Sequence, residues 1–215
     1  MADRALCFHF DFISPYSYLA WHRLQTFAPA HGLIVAPRPT VFAGLLNEHG
    51  HTGPGEIEPK RAYMFKDCMR GAALLGVPFE PPATHPFNPL PSLRATLLDT
   101  DHDTRSELIT RLYAATWADS RDIGSPQDVA AICDEVGVPN ALARIQEPSV
   151  KKRLLDLGRE AIAQGVFGVP TMLVGGELFW GTDSFPHLER FLRGEDPIKP
   201  GDAARWAAVQ PSAKR

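Results

Sequence analysis

FHFDFISPYSYLA, residues 8–20, decides how the rest of the chain is read. Leu6, Phe8, Phe10 and Phe12 fall on one face of an alternating run, with Cys7, His9 and Asp11 on the other. Residues 5–12 are therefore expected to form a strand. Ser14 is placed to cap the helix that follows, and Pro15 suits its first position, where an N–H would be unpaired anyway. The helix should run to about Ala30, with Gly32 just beyond its end. LIVAPRP, residues 33–39, reads as a second strand ended by its prolines. The opening is β-α-β.

Working outward, residues 43–58 are rich in Gly, Pro, His and Glu and read as a loop. In KRAYMFKDCMRGAALLG, residues 60–76, a helix is expected with Phe65, Cys68, Met69, Ala72 and Leu75 as its apolar stripe and Gly76 as its stop. A proline-rich connection follows, and then two helices across residues 92–118. Ser125-Pro126-Gln127-Asp128 starts another helix, with Val129, Ile132, Cys133 and Val136 as its buried stripe. A long helix spans 149–164 and stops at Gly165. PTMLV and ELFW are short strands joined by Gly175-Gly176, a hairpin signal. DSFPHLERFLRG closes the pattern as a helix capped by Asp183 or Ser184. The tail after Gly194 should lie on the surface or be partly disordered.

The order is β-α-β, a helical block, then α-β-β-α. The fold class expected is α/β: a thioredoxin-like fold with an inserted all-helical domain. Residues 1–42 and 149–194 would make the thioredoxin-like domain, 43–148 the helical insertion and 195–215 the tail.

Composition removes several classes of function. With 215 residues, 44% of them hydrophobic, the chain can bury a substantial core. A net charge of -3 and the lack of a basic stripe argue against a nucleic-acid partner. No apolar run reaches the roughly 18 residues of a membrane span. MADRALCFHFDF enters a strand pattern too soon for a signal peptide, so a cytoplasmic protein is expected. Cys7, Cys68 and Cys133 form neither a CxxC nor a zinc spacing and read as buried free thiols. His49 and His51, with Glu48 and Glu56, lack firm ligand spacing, so no metal is expected.

Ser14-Pro15-Tyr16-Ser17 has the shape of a redox motif, yet serine stands at both ends. Disulfide oxidoreductases need Cys-x-x-Cys there. A helix N-terminus presents free N–H groups and a partial positive charge. Ser14 could donate a hydrogen bond to a thiolate arriving from outside, and glutathione is the evident visiting thiol. Ser14 could equally be a helix cap alone. Val169-Pro170 precedes a strand. A cis proline there would leave the Val169 backbone open to an extended peptide such as glutathione, while a trans proline would merely start the strand. Gly181, Thr182 and Asp183 open the last helix, where they could hold a γ-glutamyl group or serve only as a cap.

DFISPYSYLA, KRAYMFKD, FNPLPSLRA, GVFGVPT and ELFWGTDS, in this order, resemble the 2-hydroxychromene-2-carboxylate isomerase family. That family is related to kappa-class glutathione transferases, within the DsbA-like thioredoxin group. The resemblance covers roughly residues 6–192. It implies glutathione as cofactor, with Ser14 activating its thiol, Val169 and Pro170 pairing with its backbone, and Gly181, Thr182 and Asp183 holding its γ-glutamyl end. It places Lys60 and Asn88 near the carboxylate of a small aromatic conjugated acid, with Asn47 on the bordering loop. One departure stands out: Ser184 occupies the place where the family carries Arg. The implied reaction interconverts 2-hydroxychromene-2-carboxylate and trans-o-hydroxybenzylidenepyruvate through reversible addition of a thiolate to a C=C bond. A homodimer and a role in aromatic-hydrocarbon catabolism are implied as well. A kappa-type transferase, a disulfide oxidoreductase and a non-catalytic DsbA-like module are the alternatives.

Overall fold

The computed structural model describes residues 5–199, 201–210 and 212, and the remaining positions lie outside it. Strand β1 (Ala5–Phe10) leads into helix α1 (Pro15–Ala30) and strand β2 (Ile34–Pro39). Helices α2 (Phe42–His49), α3 (Glu58–Leu75), α4 (Leu90–Ala95), α5 (His102–Trp117), α6 (Pro126–Glu135), α7 (Ala141–Arg144) and α8 (Pro148–Ala163) follow. Strands β3 (Thr171–Val174) and β4 (Glu177–Trp180) and helix α9 (Phe185–Leu192) close the fold, and α10 (Asp202–Ala207) lies beyond it.

The four strands form one mixed sheet in the order β2-β1-β3-β4. β1 runs parallel to β2, pairing Phe8 with Pro37, and antiparallel to β3, pairing His9 with Thr171. β2 is an edge strand, which is why it tolerates two prolines. Gly175 and Gly176, at φ +59° and +86°, make the β3–β4 turn in the conformation that a tight hairpin demands. With the helices on its faces, this is the thioredoxin-like arrangement carrying an added helical part.

The aromatic face of β1 builds the core. Leu6, Phe8, Phe10 and Phe12 are fully buried. Phe8 and Phe10 stack at 5.6 Å, Phe8 meets Trp21 of α1, and Phe12 meets Tyr113 of α5 at 4.7 Å. One continuous cluster joins these residues to Leu108, Val129 and Ile132 of the helical block. A second, smaller cluster of Leu45, Ala161, Val166 and Val169 ties α2 and α8 to the start of β3. Cys68 and Cys133 are buried and Cys7 is half-buried, all as free thiols.

Several expectations need correction. The strand ends at Phe10, because Asp11 turns its carboxylate back onto the N–H of Ile13. Residues 43–58 are not a loop: α2 and a short 3-10 turn (Pro54–Glu56) occupy them. α2 has no local side-chain cap; its first N–H, that of Phe42, is donated to Asp11 from 31 residues away. On α3 the buried stripe is Met64, Cys68 and Ala72, while Met69 is 57% exposed and Leu75 39%. α1 packs against the Met64, Cys68 and Ala72 face, while on the adjoining one Phe65 is half-buried against His85 and Met69 and Leu75 are exposed. Ser184 precedes α9, but its hydroxyl donates to the carbonyl of Gly181 and does not cap the helix. The tail holds α10, which buries no residue.

Trp117 links the helical block to the segment before Ser14, donating its indole N–H to the carbonyl of Phe12 at 2.9 Å. Trp117→Phe preserves most of the ring packing and leaves that buried carbonyl unpaired. The variant should lose about 1–3 kcal/mol of stability, read as a lower urea midpoint at unchanged slope.

Candidate functional site

A cavity of about 790 Å³ opens above the start of α1. The turn before α1, α2, the first turns of α3, the 85–90 segment and the 167–169 segment form its walls. Its surface is mainly apolar, with Phe42, Met64, Phe87 and Leu90 among the contributors. Such a pocket can exclude water around a few placed polar groups.

Ser14 sits on the cavity wall, 8% exposed, with extended backbone at φ -95° and ψ 111°. Its Oγ accepts from the N–H of Ser17 at 3.1 Å and caps α1. Among the described residues its own proton has no acceptor, so the hydroxyl can donate outward. The N–H of Tyr16, in the first turn, also has no protein partner among them. Two donors and the positive end of a helix thus face one volume, an arrangement that favours an anion. Ser17 does not share this role: it is fully buried in α1, facing the core.

Lys60, on the first turn of α3, and Asn88 line the same cavity. Asn88 accepts the N–H of Leu90 through Oδ1, which commits its carbonyl end and leaves its amide N–H groups as donors. Val169 lines the cavity too, and its peptide to Pro170 is cis. Neither the N–H nor the C=O of Val169 has a protein partner among the described residues. Pro170 is buried beside it, and its carbonyl accepts from Gly181 at 2.9 Å. That bond brings the Gly181, Thr182 and Asp183 turn alongside the 167–170 segment, although none of the three lines the cavity itself. Gly181 adopts φ +84°, and a side chain there would meet Asp183 Oδ1 at 2.5 Å. Asn47 does not join the group: it is exposed on α2 and is not part of the wall, whose α2 residues are Phe42, Ala43 and Leu46.

The sequence reading missed three kinds of residue. Asp11 lines the cavity at 1% exposure, accepting from Phe42 at 2.8 Å and Ile13 at 3.2 Å. Burial pushes its carboxyl up to about 7, against the opposing pull of backbone N–H groups from Phe42, Ile13 and Phe12. A charged residue between two core phenylalanines was the signal for it. His85 donates Nε2–H to the carbonyl of Ile13 at 2.9 Å; nothing local announced a contact 72 residues away. Phe167 and Trp180 form an aromatic pair at the cavity mouth, 41% and 53% exposed with ring centres 5.3 Å apart. The indole lies so close over Gly168 that a Cβ there would sit 2.6 Å from Nε1.

Comparison with known proteins matches this architecture. The DSBA-like thioredoxin domain family matches residues 5–193, so the chain belongs to that family. It is 30% identical over 193 residues to a 2-hydroxychromene-2-carboxylate isomerase of Sphingobium xenophagum, covering 88% of this chain and 98% of that one. It is 27% identical over 215 residues to glutathione S-transferase kappa 1 of Homo sapiens, covering 91% and 95%. A solved 2-hydroxychromene-2-carboxylate isomerase structure superposes with a TM-score of 0.80 at 25% identity, covering 95% of this chain and 98% of that one. Among the described residues no helix is long and apolar enough to cross a membrane.

The raised carboxyl of Asp11 has a consequence for stability. Folding moves its pKa from 3.8 to about 7, so the folded state prefers the protonated form. The stability this gives is complete below about pH 4 and is lost as pH rises through about 7. Urea titrations of wild type and Asp11→Asn should show the difference between them shifting against wild type across that window. A difference independent of pH would contradict the assignment.

Proposed function

We propose that this DsbA-like chain is a glutathione-dependent isomerase that interconverts 2-hydroxychromene-2-carboxylate and trans-o-hydroxybenzylidenepyruvate. The observation that carries the reading is the hydroxyl of Ser14 at the start of α1, on the wall of a large apolar cavity, its proton without an acceptor among the described residues. With serine in both motif positions and Ser17 buried, the site offers donors for a visiting thiolate and no thiol of its own.

The residues present fit glutathione. Ser14 Oγ–H and the N–H of Tyr16 would donate to its sulfur, and the helix start would favour the thiolate form over the ordinary thiol, whose pKa is about 8.5. The N–H and C=O of Val169, without partners among the described residues, would pair with its extended backbone as an added strand, next to Pro170. Gly181, Thr182 and Asp183 would hold its γ-glutamyl end, Asp183 supplying a carboxylate for the ammonium. When bound, glutathione supplies a thiolate that adds reversibly to a conjugated C=C bond, so that the substrate can turn about a single bond.

Lys60 and the amide N–H groups of Asn88 would hold the substrate carboxylate and the negative charge that develops beside it. The apolar walls keep water from that charge, which strengthens both contacts. Phe167 and Trp180 would cover the aromatic ring at the mouth. Asn47, exposed on α2, would reach a bound ligand only from the rim. In this reading residues 43–148 supply most of the substrate wall, 1–42 and 149–194 supply the thiol site together with Phe167 and Trp180 at the mouth, and the tail from 195 takes no part. The protein works in the cytoplasm as a homodimer, in aromatic-hydrocarbon catabolism.

Similarity to a kappa-class transferase over nearly the full chain favours a second reading, conjugation of glutathione to an electrophile. The two share the thiol site and differ in whether the thiolate leaves again.

Ser14→Ala should lower glutathione-dependent isomerisation about 10²-fold, the cost of one donor aimed at a developing charge. Lys60→Met should raise KM for the acid substrate and leave KM for glutathione unchanged. Full activity in Ser14→Ala would refute the assignment. Accumulation of a stable conjugate from a simple aryl halide, without isomerisation of the chromene, would establish the transferase reading instead.

A further inference from the structure

Two titratable side chains grip the residue before Ser14, one on each side. The N–H of Ile13 is donated to Asp11 Oδ1 and its C=O accepts from His85 Nε2. Both side chains line the cavity. A carbonyl can only accept, so Nε2 carries the imidazole proton, and burial lowers the pKa of the ring. His85 is therefore neutral, with a bare Nδ1. That atom is buried and unpartnered, and Gly55 packs over its edge: a Cβ there would lie 2.9 Å from it.

Asp11 is differently placed. It is buried on the cavity wall, and no cation pairs with it among the described residues. The titratable groups around it are Tyr113 from α5 and His85 from the connection before α4, with Tyr16, His51, Glu56 and Lys60 elsewhere on the wall. α2 meets it with a backbone N–H, and α1 brings no charged side chain to it.

We propose that Asp11 is the proton acceptor of the site, taking the thiol proton as glutathione binds beside Ser14 and returning it on release. This rests on the glutathione reading above. The S–H bond breaks with its electron pair left on sulfur, and an O–H bond forms on the Asp11 carboxylate. No oxidant or reductant takes part. The physical reason is repulsion between like charges: a carboxylate and a thiolate in one dry cleft disfavour each other. Passing the proton from one to the other keeps one negative charge between the two groups throughout. Asp11 is preferred over His85 because its carboxyl, held at about 7, lies nearer the thiol than a ring pushed below 6.5. Gly55 also covers the bare nitrogen of His85.

Calorimetry of glutathione binding, run in buffers of different ionisation enthalpy, counts the protons released. Wild type should release about one proton near pH 6, where Asp11 already holds its own, and well under half a proton near pH 8, where Asp11 is free to accept. Asp11→Asn should release close to a full proton near pH 6 and about three quarters of one near pH 8, where the free thiol is already partly ionised. The wild-type profile decides the matter even if that variant folds poorly. Binding in which wild type still releases about three quarters of a proton near pH 8 overturns the role of Asp11 and leaves the glutathione reading standing. A falling profile that survives in Asp11→Asn and vanishes in His85→Gln assigns the proton to His85 and overturns the proposal. No binding to folded wild type removes the glutathione reading itself.

Discussion

A buried carboxylate with no cation beside it among the described residues holds three pieces of backbone at one point. Asp11 ends β1, folds back onto the N–H of Ile13 and accepts the first N–H of α2. Its own carbonyl accepts the N–H of Ser14 at 3.1 Å. The start of α1 and the start of α2 are therefore set relative to each other by one residue. Each charge-assisted bond contributes about 1.5–3 kcal/mol, yet burial wins over them, since the carboxyl is shifted up and not down. The protein keeps an ionisable group in a place where its charged form is desolvated. That expense is intelligible if the group fixes the geometry of the cavity, and more so if it also exchanges a proton there.

Around this point the aromatic core supplies the rigidity. Three large side chains each bury a ring and send one polar atom across to another element. Trp117 reaches the carbonyl of Phe12, Tyr18 the carbonyl of Pro78, and Trp21 the hydroxyl of Thr110. All three join the β1–α1 unit to the helical block or its flanking connection. Dispersion and area burial hold the layers together without direction, whereas these bonds fix how the layers are turned. The cavity depends on that orientation, because its walls come from segments as distant in sequence as Ile13, Met64, His85 and Val169.

What the sequence made legible was local. Alternation placed β1, Ser14-Pro15 placed the start of α1, and Gly175-Gly176 placed the hairpin, each within a few residues of its own signal. α2 was hidden because its cap is 31 residues away. On α3, Phe65 and Met69 repeat at the same helical spacing as Met64 and Cys68, and only contact with α1 settles which face is buried. The candidate site divided in the same way. Ser14, Val169, Lys60 and Asn88 stood in recognisable motifs and share one cavity, while Asn47, inferred from its loop, is outside the wall. His85 was invisible because its bond to Ile13 exists only in three dimensions.

The two serines show how one scaffold can change its chemistry with little change in shape. A helix start lowers the pKa of whatever acid is placed on it. With a cysteine there, the protein owns the thiolate. With Ser14 there, what remains is a set of donors: a hydroxyl proton, the N–H of Tyr16 and the helix end. Donors alone attract an anion, and Asp11, buried behind them, repels one. Protonating Asp11 removes the repulsion and keeps the carbonyl oxygen accepting one of the two N–H groups, with the hydroxyl oxygen left as a weaker acceptor for the other. A single residue can therefore brace the site in both charge states and adjust the affinity for an anion between them. Neither a cation nor an amide at that position could do both.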